Sequence, residues 1–415
     1  MPLHPFARPR LLALLLLLSL ALPLGATRRT IHLSTLGLRA GTKENSTPLL
    51  RKILEGLQSE LEQGTDTLEL LFPTGRYHLA SEGALQREYF ISNHDHAGIR
   101  PIGLLLKGWR HVILRGEGSK LLFEERMLPI VLDSCQGVEL RGLTIDYTNP
   151  QISQLRLLRS DTTRGMIFTP EPWVKWRITS EGKFETYGSN WQVTPDHGLA
   201  FDPKTRELCY RTSDVLFPNR DVRQLTRQEA KRYGVKGRQS GPILYAPHWR
   251  DAQLRDGTIF AARTGYRPQP AIFVSGCQDI RLHDITIHFA EGMGLLAQRS
   301  EDIHLERFSV ELRPKGGRYF TTQADATHFV ACRGQISVER CRFENMMDDA
   351  LNVHGVYLKV VGREGKHTLL GRFMHEQSFG FPWADPGDSV RLVTSRDIQG
   401  LEGVFHVSAI SSAEG

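Results

Sequence analysis

Apolar residues recur along this chain in one eight-residue pattern, h-x-h-x-x-h-x-h, where h is apolar. It reads Val138-x-Leu140-x-x-Leu143-x-Ile145, then Ile280-x-Leu282-x-x-Ile285-x-Ile287 and Ile303-x-Leu305-x-x-Phe308-x-Val310, and last Ile336-x-Val338-x-x-Cys341-x-Phe343. Two alternating strands joined by a two-residue bend predict one corner of a stacked solenoid. A β-sandwich also contains similar strands, but it has no reason to repeat one eight-residue pattern four times. Starts at 280, 303 and 336 are 23 and 33 residues apart, within the repeat lengths solenoids use. The longer interval holds Arg313-Pro314-Lys315-Gly316-Gly317, which reads as a loop insertion.

Upstream, Thr47-Pro48 is a helix start, with proline at the first helical position. Leu49, Leu50, Ile53, Leu54, Leu57 and Leu61 then fall on one helical face. A strand (Leu68 to Phe72) and Pro73-Thr74-Gly75-Arg76-Tyr77 follow. A capping helix, strand, Pro-x-Gly and Tyr in this order resembles the start of pectate-lyase-like right-handed β-helices. The fold class expected is therefore all-β: a right-handed parallel β-helix with inserted small β-barrel subdomains. Residues 27–149 form the N-terminal cap and first coils. The repeat breaks over 150–250, where alternating stretches such as Leu155 to Leu158 and Trp176 to Ile178 predict an inserted antiparallel β-barrel. Coils resume over 251–355. Residues 356–415 read as a second barrel insertion that stops in mid-pattern, as in a fragment of a longer chain, since solenoids need terminal caps.

Residues 1–26 have the order of a secretory signal peptide: Arg8 and Arg10, the apolar run Leu11 to Leu18, then Pro23-Leu24-Gly25-Ala26. Export to the periplasm or beyond is expected, with no membrane span once the leader is removed. The formal charge of +6 includes the two leader arginines, so the mature balance is nearly even. No basic run interleaved with aromatics points to nucleic acid. Cys135, Cys209, Cys277, Cys332 and Cys341 contain no C-x-x-C, which argues against a disulfide scaffold or structural zinc. Cys135, Cys277 and Cys332 precede similar strands and are expected to stack as small apolar residues.

Two segments concentrate chemistry: Arg318 to Phe329, and Asn345 to Gly355. Asp325 and Asp348 are 23 residues apart, the same interval that separates Ile280 from Ile303. In a solenoid of that period the two carboxylates stack on neighbouring coils, and Asp349 adds a third. Like charges so close raise one pKa, as a general acid beside a general base requires. Aspartates also occupy turns for local reasons; three of them among His328, Asn352 and His354 favour a site. The same spacing brings Glu291 and Gln298 towards that surface, either as substrate contacts or as polar turn residues. Asn93-His94-Asp95-His96 is a further polar cluster, suited to a sugar or a turn and lacking metal-ligand spacing. No nucleophile elbow, P-loop, dinucleotide fingerprint or H-E-x-x-H occurs, so no cofactor or metal is expected. Trp176, Trp191, Trp249 and Trp383 are available to stack on sugar rings, or to fill cores. Arg299, Arg313 and Arg318 lie near enough in sequence to keep acidic sugars open.

At these residues the chain resembles glycoside hydrolase family 110, the exo-α-1,3-galactosidases. The motifs are Tyr319 to His328, Met346-Met347-Asp348-Asp349-Ala350, Asn352-Val353-His354-Gly355, Tyr89 to Asp95, and Glu291 to Gln298. The likeness is greatest to the α-1,3-galactosidase B branch, which accepts linear as well as branched substrates. The resemblance implies hydrolysis of terminal α-1,3-linked galactose, including blood group B glycans, with inversion. It implies a galactosyl oligosaccharide or glycoconjugate as partner, and Asp325, Asp348 and Asp349 as the catalytic set. Asn93, His94, Asp95, Glu291, Gln298, His328, Asn352 and His354 are the candidate substrate contacts. Analogy with the polygalacturonase arrangement makes Asp348 the acid, with Asp325 and Asp349 holding the water. The alternatives are a polygalacturonase-like hydrolase, whose downstream R-I-K this chain lacks, and a non-catalytic β-helical carbohydrate-binding protein. Oligomeric state is not legible.

Overall fold

A computed structural model describes residues 28–61, 67–95, 98–212, 214–237, 239–378 and 382–412. The expected leader, residues 1–26, and His96 lie outside the described residues.

Each coil runs through three faces. In one coil these are Ile272–Ser275, Gln278–His283 and Thr286–Ile287; in the next, Leu295–Gln298, Glu301–Glu306 and Ser309–Val310; then Thr327–Val330, Arg333–Glu339 and Arg342–Phe343. Equivalent strands pair in parallel, so apolar residues stack directly. Val112, Val138, Ile280, Ile303 and Ile336 form one row, and Leu114, Leu140, Leu282, Leu305 and Val338 the next. These rows fill the interior of a parallel β-helix. The two-residue bend of the repeat has a definite geometry. Its second residue is left-handed in every coil: Gly142 (φ 67°), Asp284 (52°), Arg307 (50°) and Arg340 (53°). A left-handed residue turns the chain sharply between two strands while both keep their inward alternation. Arg307 then donates to Asp284 of the coil below with both arms of its guanidinium.

The helix Thr47–Leu61 covers the first coils, burying Leu50, Ile53, Leu54 and Leu57. Asn45 accepts from the backbone N–H of both Thr47 and Ala80, which pins the helix start to the coil beneath.

The cysteines do stack. Cys135 Sγ donates to the Leu106 carbonyl (3.2 Å), Cys277 Sγ to Leu132 (3.3 Å) and Cys332 Sγ to Ala297 (3.4 Å). Ser300 takes the position in the coil between, accepting from Cys277 N. All five thiols are free.

The chain leaves the coils after Tyr147 and returns at Ile272, where Ile272 pairs with Ile130 as if nothing intervened. Between them lies an antiparallel sheet in the order Val215–Leu216, His197–Phe201, Ile259–Arg263, Ser153–Arg159, Met166–Pro170, Leu244–Ala246 and Arg223–Gln224. Its core is aromatic: Phe168, Phe184, Phe217, Trp249 and Phe260 pack edge to face or tilted. The strand Ile259–Arg263 pairs with both Ser153–Arg159 and His197–Phe201, so this sheet closes beyond residue 250, where patterning alone ended it. A strand so uniformly buried looks, in sequence, like a coil strand. After Gly355, Leu358–Glu364 pairs with Thr368–Phe373, and Ser389–Val390 with Phe405–His406.

Candidate active site

The acidic residues sit where loops feed into one face of the coils, just before Thr327–Val330 and Leu351–His354. Pairing there sets His328 opposite Asn352, an offset of 24 rather than 23. Asp325 is therefore in line with Asp349, and the Ala326 N–H donates to the Asp349 carbonyl (2.8 Å). The 23-residue interval measured on another pair of coils does not transfer. The extra residue lies at a bulge in Arg333–Glu339, where Glu301 pairs with Arg333 but Ile303 pairs with Ile336, and Gly334 is left-handed (φ 63°). Asp348 precedes the registered position, and its carboxylate accepts from Arg267 (3.0 Å).

Burial raises the Asp348 pKa above the usual carboxylate range, and the charges of Asp325 and Asp349 add to this, opposed by Arg267 and Arg263. Three carboxyls thus feel one another. Asp325 is buried and its Oδ2 lies 2.7 Å from His328 Nδ1; His328 Nε2 lies 2.7 Å from His354 Nε2. Asn352 Nδ2 reaches Asp349 at 3.4 Å.

The other candidates are brought to the same region but mostly face the protein. Gln298 accepts from the Ser92 N–H (3.1 Å) and donates to the Phe90 carbonyl (3.1 Å) and Ser275 Oγ (3.2 Å), so it ties the 90–92 loop to the coils. Burial pushes His94 down to about 3, so it is neutral. Its Nδ1–H donates to Ser92 and its Nε2 accepts from Met293 N (3.3 Å). That approach explains Gly292, where a Cβ would stand 2.3 Å from His94 Nε2; at Gly294 it would stand 2.5 Å from the Ala326 carbonyl. Asp95 accepts from Arg267 N and from Gln377, and Asn93 accepts from Ser92 Oγ. Asp95 therefore holds the segment that delivers Arg267 to Asp348.

Glu291 lies in the row of Gln323, because Leu295 pairs with Thr327. It is buried, accepts from Gln269 (2.6 Å) and faces Arg126 (3.5 Å), and burial lifts it to about 7. Arg318 is buried against Asp146, which Arg313 also faces, and Arg299 pairs with Asp385. Arg318 and Arg299 are thus paired with carboxylates, whereas Arg313 stays half-exposed. Trp249 and Trp191 are core residues, and Trp383 donates to the Val356 carbonyl.

Sequence reasoning missed the segment Arg263-Thr264-Gly265-Tyr266-Arg267. Arg267 meets Asp348, Arg263 donates to the Gln323 carbonyl, and half-exposed Tyr266 lies under the Arg126 guanidinium (5.3 Å). The available signal was Tyr266 and Arg267 set between Gly265 and Pro268, with Arg263 just before, where the insertion rejoins the coils. Among the described residues, a cavity of about 530 Å³ opens elsewhere, between Arg206, Glu207, Arg313, Arg342 and Glu344, and contains none of the three aspartates.

Residues 153–260 match the GLAA-B beta-barrel domain I, so the inserted sheet is a recognised unit. Alpha-1,3-galactosidase B of Phocaeicola vulgatus is 43% identical over 392 residues, 94% of this chain and 62% of that protein. Alpha-1,3-galactosidase B of Bacteroides fragilis (strain YCH46) is 40% identical over 402 residues, 96% of this chain and 65% of that protein. The family 28 exopolygalacturonase of Yersinia enterocolitica aligns over 77% of this chain and 49% of its own at 11% identity and a TM-score of 0.27, too low to add to the topology already described. The chain spans less than two thirds of the two galactosidases' lengths. Over more than nine-tenths of its own length, the chain is a homologue of proteins named alpha-1,3-galactosidase B.

Proposed function

We propose that this chain carries the catalytic centre of an exo-acting glycoside hydrolase that removes terminal α-1,3-linked galactose, with inversion. The observation that carries this reading is the meeting of Asp325, Asp348 and Asp349 at one mouth of the coils, in a chain 40–43% identical to alpha-1,3-galactosidases B. An inverting hydrolase protonates the leaving oxygen from one side and activates water on the other. Asp348 is the acid: burial and its two acidic neighbours favour the protonated form. Asp325 and Asp349, adjacent in register, hold and deprotonate the water. Arg267 orients Asp348, and the bond reforms each turnover as the acid loses and regains its proton.

The leader pattern supports export, to the periplasm or beyond. Among the described residues no helix is long and apolar enough to cross a membrane. The substrate in this reading is a galactosyl oligosaccharide or glycoconjugate, linear or branched.

The test is a panel of α-1,3-, α-1,4- and α-1,6-galactosides plus oligogalacturonate, with products followed by NMR. The expected result is α-1,3 cleavage with β-galactose formed first. First-formed α-galactose refutes inversion. Cleavage of oligogalacturonate with indifference to galactosides refutes the substrate.

A further inference from the structure

The contacts around Asp325 fix a proton count. His354 Nδ1 lies 2.7 Å from the Gly355 carbonyl, which only accepts, so that nitrogen carries a proton. His354 Nε2 and His328 Nε2 are 2.7 Å apart, and two lone pairs cannot approach so closely, so one proton lies between them. His328 Nδ1 and Asp325 Oδ2, also 2.7 Å apart, need another. Three contacts thus require three protons. A carboxylate with two neutral imidazoles supplies two, and the third belongs on an imidazole rather than on Asp325 because imidazole is the stronger base.

We infer that His328 and His354 share the third proton as one cationic imidazole pair, holding Asp325 as a paired anion aimed at the reacting water. They are positioning residues for Asp325 rather than ligands for the sugar. The inference rests on the reading of Asp325 as a member of the catalytic set.

The surroundings suit such a unit. The rings meet edge to face, with centroids 4.7 Å apart and planes at 84°. In the coil before, Leu296 lies next to His328 in its row, and Asn352 lies next to it in the coil after. Gln298 and Val330 share the row of His354. Neutral His94, itself beside Arg267 and Arg100, interacts with His328, and Asp348, itself beside Arg267, Asp349 and Arg263, interacts with Asp325. A buried carboxylate is costly unless paired, and a cationic imidazole makes this unit neutral overall. His328 is buried whereas His354 is half-exposed, so the pair also links the buried base to solvent.

Histidine-labelled chain and long-range proton–nitrogen NMR at pH 7 test the count without any substrate. His328→Gln and His354→Gln spectra assign the signals. Three protonated nitrogens among the four of the pair are expected; two overturn the inference, whatever the enzyme's substrate proves to be. Kinetics then test the role. His354→Gln keeps an acceptor for His328 and a donor for Gly355, so kcat stays within a few-fold. His354→Leu loses roughly 10- to 100-fold in kcat at unchanged KM, as for a lost charge-assisted hydrogen bond. A folded His354→Leu with undiminished kcat overturns the positioning role, and if that variant does not fold the proton count still decides.

Discussion

Glu291 gives a prediction independent of any substrate. Its carboxyl is 1% exposed, and burial raises it from 4.5 to about 7 despite Arg126 and Gln269. The folded state therefore holds the proton more tightly than the unfolded chain does. Its stabilising contribution is complete below about pH 4.5 and is lost as pH rises, levelling off above about 7. Across that window the change is worth about 3 kcal/mol, at 1.36 kcal/mol per pH unit. Glu291→Gln keeps the acceptor for Gln269 but cannot ionise. The attraction of Arg126 for the charged form is already contained in that shift. The variant is therefore expected to match the parent at pH 4.5 and to exceed it by about 3 kcal/mol at pH 8. Urea unfolding midpoints of both proteins, measured from pH 4.5 to 8, check this. A difference that stays flat with pH, or a parent that gains on the variant as pH rises, refutes the reasoning.

Two further outcomes follow from the site. Asp348→Asn should lose far less activity on an aryl galactoside than on a natural disaccharide, because a good leaving group needs little protonation; if Asp325→Asn shows that dependence instead, the acid and base are exchanged. Gln298→Leu leaves the Ser92 N–H and Phe90 carbonyl without their partner and should cost about 2–4 kcal/mol in thermal unfolding; a loss below about 0.5 kcal/mol would mean that water replaces the side chain there.

Local chemistry determined much of this protein. The h-x-h-x-x-h-x-h rows specified the coils, because inward alternation is a property of each strand alone and the rows stack once strands pair. The acidic segments marked the candidate site, since Asp325, Asp348 and Asp349 with His328, Asn352 and His354 are dense enough to read by eye. Register belongs to the tertiary structure. One extra residue at a bulge in Arg333–Glu339 moved the partner of Asp325 from Asp348 to Asp349, and spacing measured on a neighbouring coil cannot report it. Contacts were decided there too. His94, Gln298 and Asp95 are polar residues in the right place whose polar atoms are taken up by loop backbone, and only contacts distinguish that from substrate binding. Arg267 shows the converse. It lies 81 residues from Asp348 in a stretch without periodicity, and it reaches the carboxylate because the inserted sheet returns the chain to the coils beside it. Periodic packing is local and repeats along the chain, whereas a site assembled from loops depends on how those loops are held together.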